Sequence, residues 1–413
     1  APAARGRRRY HKSTNDMAPT FYISGAGRGT PDTLTGEARR ALDAADAVFA
    51  TARLAALRPE AEVCPFTELA ARAIGAGGQS IAVLVSGDVG FFSAASRLRQ
   101  QLAPHGEVRL ICGLSSLQYF CAKLGVPYDD VCVRSLHGRA GSILGAVSYH
   151  KKVFALTGGA QNAQTVCRAL VDVGLGGLAV HLGENLGMEH ERIAHGTAAE
   201  LADQPCGDLA VLLIEHPNAV NAAEPLRDGM FTRAKVPMTK EEVRWVACGR
   251  LAVQPGDTVW DVGAGTGAMT LELARRACDG LVYAVERDAD ALALLVENRC
   301  KLGGYNVQIV AGRAPEALET LPAPDCVFVG GRGGEMRRIL SLVKEKNPAV
   351  RVVVTAIALE TLEETRRALI DLGFANLAVS QLAASRGRAV GPYTMMTALN
   401  PVFILSGGGR DAE

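Results

Sequence analysis

Residues 257–286, DTVWDVGAGTGAMTLELARRACDGLVYAVE, hold the groups whose types and spacing most clearly suggest chemistry. Gly263, Gly265 and Gly267 break a β-rich run just before a helical pattern. Glycines there let backbone N–H groups approach a ligand closely at a helix N-terminus. Glu286 ends the apolar run 281–285, and a carboxylate at the end of that next strand can take both hydroxyls of a ribose. A nucleoside-cofactor site follows. Gly263-x-Gly265-x-x-Ala268 also satisfies the loose dinucleotide pattern, so the glycines alone do not choose the cofactor. Asp261, two residues before the first glycine, would repel a pyrophosphate but suits a cationic amino-acid end. Gly267 completes a tighter D-x-G-x-G-x-G run around Thr266. The expected cofactor is S-adenosylmethionine, and the expected chemistry is methyl transfer.

The elements needed to position these groups can be read on either side. Val259 and Trp260 lie in a first strand, and Met269, Leu271, Leu273 and Ala274 give the next helix its apolar positions. A helix over residues 289–302 should stop at Gly303-Gly304. A third strand at 308–310 leads to Gly312, Arg313 and Ala314, where an adenine would lie at the carboxyl end of a doubly wound sheet. A fourth strand, 324–329, opens on Gly330-Gly331 over the methyl donor, and 351–355, 377–382 and 401–405 complete the strands. Upstream, Thr239 has N-cap character with Glu242 at capping-box spacing. Thr239 and Lys240 could equally line the cofactor cleft. Thr239, Lys240, Gly330 and Gly331 are the groups expected around the reacting centre.

Composition sets the limits. A chain of 413 residues has room for two or three domains, each with its own core. Hydrophobic content of 48% with only 5% aromatics and 45 glycines suits α/β layers joined by short turns. A net charge of +1 gives no global pull towards nucleic acid or membrane. No apolar run reaches the ~18 residues of a membrane span, and no signal-peptide core is present. Ten scattered cysteines without a C-x-x-C pair suggest reduced thiols in a cytoplasmic protein, with no metal site expected. All eight histidines lie at or before His216, so the second half must work without imidazole. Residues 1–19 carry five basic side chains and no periodicity, which suggests a disordered leader or an expression remnant ahead of a natural start at Met17.

Three segments of the first half register in combination. GAGRGTPDTLT follows a short strand at 21–24, SGDVGFF ends a β-branched strand, and CGLSS caps a helix at about 117–124. Their spacing resembles the tetrapyrrole methylase family, and the resemblance runs to about residue 216. ENLG at 184–187 and ERI at 191–193 resemble the branch acting at carbon 5 of a corrin ring. The resemblance implies a two-lobed domain over 20–216 with its own adenosylmethionine site. Gly87, Asp88 and Val89, Ser115 and Ser116, and Glu184, Asn185 and Leu186 would build that site, while Gly25, Gly27, Arg28 and Gly29 would face the tetrapyrrole. The family's usual G-D-P has become Gly87-Asp88-Val89, which frees φ at that turn.

Residues 217–235 contain two prolines and little apolar periodicity, which places a linker there and a second domain over 236–413. MTKEEVR, WDVGAGTG, AGRAPEAL and PDCVFVGG together resemble the decarboxylating precorrin methyltransferase domain. The implied whole is an α/β protein: a two-lobed tetrapyrrole methylase domain followed by a doubly wound, Rossmann-like class I methyltransferase domain. One adenosylmethionine per domain and a tetrapyrrole (precorrin) substrate are implied with it. Electron-rich macrocycle carbons need no strong base, and the conjugated ring can take the electrons left when an acetate arm loses CO₂. Arg28, Lys240, Arg244 and Arg332 could orient the substrate's carboxylates. An RNA methyltransferase with two cofactor folds is the alternative. However, the fourth strand ends FVGG without the N/D-P-P-Y/F acceptor of amine methylation, and basic residues are not interleaved with aromatics beyond the leader. No nucleic-acid or membrane partner is expected, and a homo-oligomer is.

Overall fold

The structure, a computed structural model, describes residues 18–137, 142–330 and 334–409. The leader residues up to Met17, together with Gly331 and Arg332, lie outside the described residues.

The described chain builds three main sheets. The first holds β1 (Thr20–Gly25), β2 (Ala47–Ala50), β3 (Glu62–Val63), β4 (Ser80–Val85) and β5 (Glu107–Ile111) in the order β3-β2-β4-β1-β5. Its paired strands run parallel, and β4, with Ile81, Val83 and Val85 on one face and Ala82 and Leu84 on the other, is apolar on both faces. Apolar runs of this kind must be covered on both sides by helices. The second sheet holds β6 (Cys132–Ser135), β7 (Lys152–Leu156), β8 (Ala179–Glu184), β9 (Arg192–Thr197) and β10 (Ala210–Glu215) in the order β6-β7-β10-β8-β9.

The third sheet draws on β11 (Thr258–Val262), β12 (Leu281–Glu286), β13 (Val307–Ala311), β14 (Cys326–Val329), β15 (Arg351–Ala356) and β16 (Ala378–Leu382). A separate hairpin, β17 (Ser385–Val390) with β18 (Tyr393–Ala398), precedes the last strand, β19 (Val402–Gly408). The sheet order is β13-β12-β11-β14-β15-β19-β16, parallel as far as β15 and antiparallel beyond it. This is a doubly wound sheet whose strand order reverses between β11 and β14. The crevice outside the carboxyl ends of those strands is where such sheets take ligands. One core cluster, including Val259, Leu271 and Phe328, and a second, including Trp260, Leu340 and Leu405, hold the sheet's two faces. Emptying a fully buried site such as Trp260 typically costs about 3–5 kcal/mol.

By compactness the chain divides into two units. One comprises residues 1–130, 182–194 and 209–211; the other comprises 131–181, 195–208 and 212–413. Most of the second sheet therefore groups with the doubly wound domain. The segment expected to be a linker is ordered and packed within that second unit. Leu226 is fully buried and Phe231 nearly so, and Arg275 donates to the carbonyls of Asn221 and Glu224. Asn298 clamps Thr232 by two hydrogen bonds and also donates to Thr266 O at 2.9 Å.

Candidate functional site

The helix Ala289–Leu302 forms as expected, with the Asp288 side chain capping Ala291 N and Gly303 in the left-handed region at its end. The glycine turn after β11 has φ of +80°, +55° and +80° at Gly263, Gly265 and Gly267, a region that L side chains rarely occupy. Gly330 N donates to Val262 O at 3.0 Å, and a Cβ on Gly263 would lie 3.6 Å from Gly330 O. The two loops at the switch point therefore approach each other backbone to backbone.

A cavity of about 890 Å³ opens at this point. Gly263, Gly265, Glu286, Gly312, Arg313, Ala314, Thr239, Lys240 and Gly330 all line it. Residues expected around one nucleoside cofactor thus converge from separate loops. Glu286 is the centre of the turn. Its Oε2 accepts from Gly265 N at 2.9 Å, and its Oε1 accepts from Arg287 N at 2.8 Å and Asp288 N at 3.0 Å. An ionised carboxylate offers about four acceptor positions, so capacity remains for a ribose hydroxyl.

Four residues depart from the expectation. Asp261 is fully buried, and Thr270 Oγ1 donates to it at 2.5 Å. Burial pushes its carboxyl up to about 7, with the Glu286 charge adding to the rise and the Thr270 bond opposing it. It does not line the cavity; Thr270 of the following helix holds its Oδ2, while its Oδ1 has no hydrogen-bond partner among the described residues. Thr266 is equally buried and holds Asn298 through its carbonyl. Gly267 starts the helix Ala268–Arg276, where a Cβ would come within 3.0 Å of Leu295 Cγ. Its role is to let two helices pack. Arg244, expected to meet substrate, is wholly buried. It donates to Asp228 at 2.7 Å, to Thr239 O at 2.7 Å and to Leu226 O at 2.6 Å. It binds the 217–235 segment to the start of its helix and cannot reach a substrate carboxylate.

The capping expectation is also corrected. The helix begins at Glu241 with Lys240 at the N-cap and no side-chain cap, while Glu242 is drawn away to Arg386. Thr239 and Lys240 are thereby left facing the cavity. Sequence reasoning missed the other wall, Leu382, Ala384, Ala398, Leu399, Asn400 and Val402, at the base of the β17–β18 hairpin. The Gly391-Pro392 pair, a turn signal between two short runs, was the sequence feature that pointed to the hairpin.

In the first unit, three loops meet at the carboxyl ends of β1, β4 and β5. Gly27 and Gly87 exchange backbone hydrogen bonds. A Cβ on Gly25 would lie 2.7 Å from both Gly113 N and Gly87 O, so only glycine fits there. Asp88 accepts from Gly90 N and Gly113 N, which joins the Gly87–Val89 turn to the loop before Ser115. Ser115 forms a full capping box with Gln118 at the head of the helix Ser116–Leu124, and both Ser115 and Ser116 are buried. Glu184 pairs with Arg192 at 3.0 Å, and Asn185 takes φ of +47°. The Leu186 side chain is buried, but its carbonyl accepts from Arg28 Nε at 2.9 Å. Gly29 packs near Leu54, and burial followed by the neighbouring Arg53 cation holds the Arg28 guanidinium below its ordinary value. Among the candidates, Gly25, Gly27, Arg28, Gly87, Asp88 and Leu186 are thus linked by hydrogen bonds or close packing at these loops.

A glycine turn and an acidic strand end at the switch point of a doubly wound sheet define a Rossmann-like nucleoside-cofactor protein of the class I methyltransferase type. Comparison with known proteins narrows the class. Residues 230–408 match the family model for the precorrin methyltransferase domain, and residues 20–202 match that for tetrapyrrole (corrin/porphyrin) methylases. A Pyrobaculum calidifontis protein named probable cobalt-precorrin-6B C(15)-methyltransferase (decarboxylating) is 42% identical over 45% of this chain and 96% of its own. The chain belongs to the decarboxylating precorrin methyltransferase family, and it carries a tetrapyrrole methylase domain ahead of that part. A Sinorhizobium protein named precorrin-6Y C(5,15)-methyltransferase (decarboxylating) is 27% identical over 94% of this chain and 95% of its own. The solved precorrin-6y C5,15-methyltransferase of Geobacter metallireducens is 32% identical, covers 45% of this chain and 96% of its own, and superposes with a TM-score of 0.43. Among the described residues no helix is long and apolar enough to cross a membrane.

Proposed function

We propose that this chain is a bifunctional, S-adenosylmethionine-dependent C-methyltransferase of cobalamin biosynthesis. The first domain methylates carbon 5 of a reduced precorrin-6. The second methylates carbon 15 and removes CO₂ from the acetate at carbon 12, giving precorrin-8. The end-to-end match to a relative that names both carbons and the decarboxylation carries this proposal. The RNA methyltransferase alternative has no support, because the relatives named above are corrin-pathway enzymes.

The residues of the second cavity suit adenosylmethionine. Gly263 and Gly265 leave a cradle that a side chain would fill, Glu286 offers a carboxylate to the ribose, and Gly312, Arg313 and Ala314 flank the adenine. When bound, the cofactor supplies an electrophilic methyl group. The remaining work is positional. Thr239, Lys240 and Gly330 line the cavity and are the groups assigned to the methyl acceptor, together with Gly331, which follows Gly330 in sequence. Lys240 can hold a substrate carboxylate by charge, and the apolar hairpin base can receive the macrocycle and exclude water. The second cofactor site, in the first domain, rests on the loops around Gly87, Ser115 and Asn185. Arg28 presents its guanidinium beside them, and Arg332 is retained as a substrate contact from its sequence position. The domain limits 20–216 and 236–413, a homo-oligomeric state, a cytoplasmic location and the lack of a nucleic-acid partner belong to the same proposal.

The test uses the full chain with reduced precorrin-6, adenosylmethionine and product mass spectrometry. Wild type should add two methyl groups and lose one CO₂. Gly263→Val should retain one methylation and lose both the other methylation and the decarboxylation. Gly25→Val, which collides with Gly87 and Gly113, should do the converse. If either variant abolishes both reactions while the protein stays folded, the two-site assignment fails.

A further inference from the structure

We infer that Arg386 is a positioning residue that sets the spacing between the two cavity walls facing the methyl acceptor. This rests on the reading of that cavity as the second methyltransferase site. β17 and β18 pair from Ser385↔Ala398 to Val390↔Tyr393 and belong to no larger sheet. Their far end is exposed, with Tyr393 at 74% and Met395 at 58% accessibility. An isolated two-stranded ribbon is marginal in water, so its base needs an anchor.

Arg386 is that anchor. Its Nε donates to Glu242 Oε1 at 2.9 Å, its Nη2 to Glu242 Oε2 at 2.5 Å, and its Nη1 to Asp228 Oδ2 at 2.9 Å. The first two contacts form a bidentate fork, which fixes direction as well as distance. The second oxygen of Asp228 is held by Arg244, whose Nη1 also bonds Thr239 O. A continuous polar chain therefore runs from the hairpin through Asp228 and Arg244 to the segment carrying Thr239 and Lys240.

Both ends of that chain are cavity wall. The hairpin base contributes Ala384, Ala398 and Asn400, and the opposite side contributes Thr239, Lys240 and Glu242, whereas Arg386 itself does not line the cavity. The cofactor-side residues Gly263, Gly265, Glu286 and Gly312 hang from β11, β12 and β13, which Arg386 does not touch. Its influence should therefore fall on the macrocycle and spare the cofactor.

The test compares Arg386→Ala and Arg386→Lys with wild type in the full chain. Three quantities are measured: steady-state C15 methylation of reduced precorrin-6, calorimetric Kd for S-adenosylhomocysteine, and amide hydrogen exchange. For Arg386→Ala the expected result is a KM for the tetrapyrrole raised about tenfold or more, with kcat and cofactor Kd within about threefold. Exchange should accelerate only in the hairpin and at the start of the Glu241 helix. Lysine keeps the charge but not the fork, so it should fall between the two. An unchanged KM overturns the inference, as does a cofactor Kd that rises in step with KM. Faster exchange across the whole sheet overturns it as well. A wild-type chain inert towards reduced precorrin-6 would refute the proposed substrate instead, and localised exchange would then decide on the anchor alone.

Discussion

Replacing Arg244 separates a structural cation from a substrate-binding one. Its guanidinium is inaccessible to solvent, and it makes three close hydrogen bonds, to one carboxylate and two carbonyls, with Glu272 3.9 Å from Nε. Arg244→Ala leaves a cavity, the buried carbonyl of Leu226 and the half-buried one of Thr239 without this donor, and Glu272 with Arg276 as its remaining ion-pair partner. Asp228 keeps Arg386, which softens the loss. Removing one partner of a buried ion pair costs roughly 3–5 kcal/mol. For a cooperative unit of about 200 residues, each kcal/mol moves Tm by about 2–4 °C, so a fall on the order of 10 °C is expected. Scanning calorimetry of the full chain with saturating S-adenosylhomocysteine measures it, and Arg244→Met, which fills the volume without the charge, should recover part of the loss. A Tm within about 2 °C of wild type, accompanied by a raised KM for the tetrapyrrole, would refute the burial argument. It would restore Arg244 as a substrate contact.

Other outcomes follow from the same geometry. Glu286→Ala should raise the cofactor Kd about tenfold or more, from the loss of charge-assisted ribose bonds of ~1.5–3 kcal/mol; an unchanged calorimetric Kd rules out the ribose role. Asp261 has a carboxyl raised to about 7 in the fold against an ordinary 3.8, so the folded state keeps a proton that the unfolded chain releases. That contribution to stability is present at low pH and is lost as pH rises from about 4 through 7. Asp261→Asn removes the dependence, and its stability relative to wild type should grow by a few kcal/mol across that window and then level off; parallel denaturation curves would show that Asp261 titrates normally. Gly267→Ala should destabilise by ~1–3 kcal/mol through its positive φ and the contact with Leu295. An equal loss from a variant at exposed Gly256, with no neighbour within reach of a Cβ, would remove that explanation.

What the sequence made legible follows from which constraints are local. The glycine turn, Glu286 and the helix Ala289–Leu302 each depend on a few adjacent residues, and each stands where spacing and caps put it. The positions of the parallel strands were accessible for the same reason, because each βα unit carries its own apolar strand and turn. The failures share the opposite cause. Whether Arg244 points to solvent or to Asp228 depends on a segment 16 residues away, and that segment looked like a linker because its packing has no period. Asp261 sits in the right motif, but Thr270 and the burial of strand β11 decide which way its carboxylate can act. Thr239 lost its capping role when Glu242 was drawn to Arg386, 144 residues further on, and no sequence window spans that pair. The same ion pair brings the hairpin to the cavity. The part of the proposed cofactor end formed by Gly263, Gly265 and Glu286 could therefore be read from local spacing, whereas the substrate end is assembled from long-range ion pairs and had to be seen.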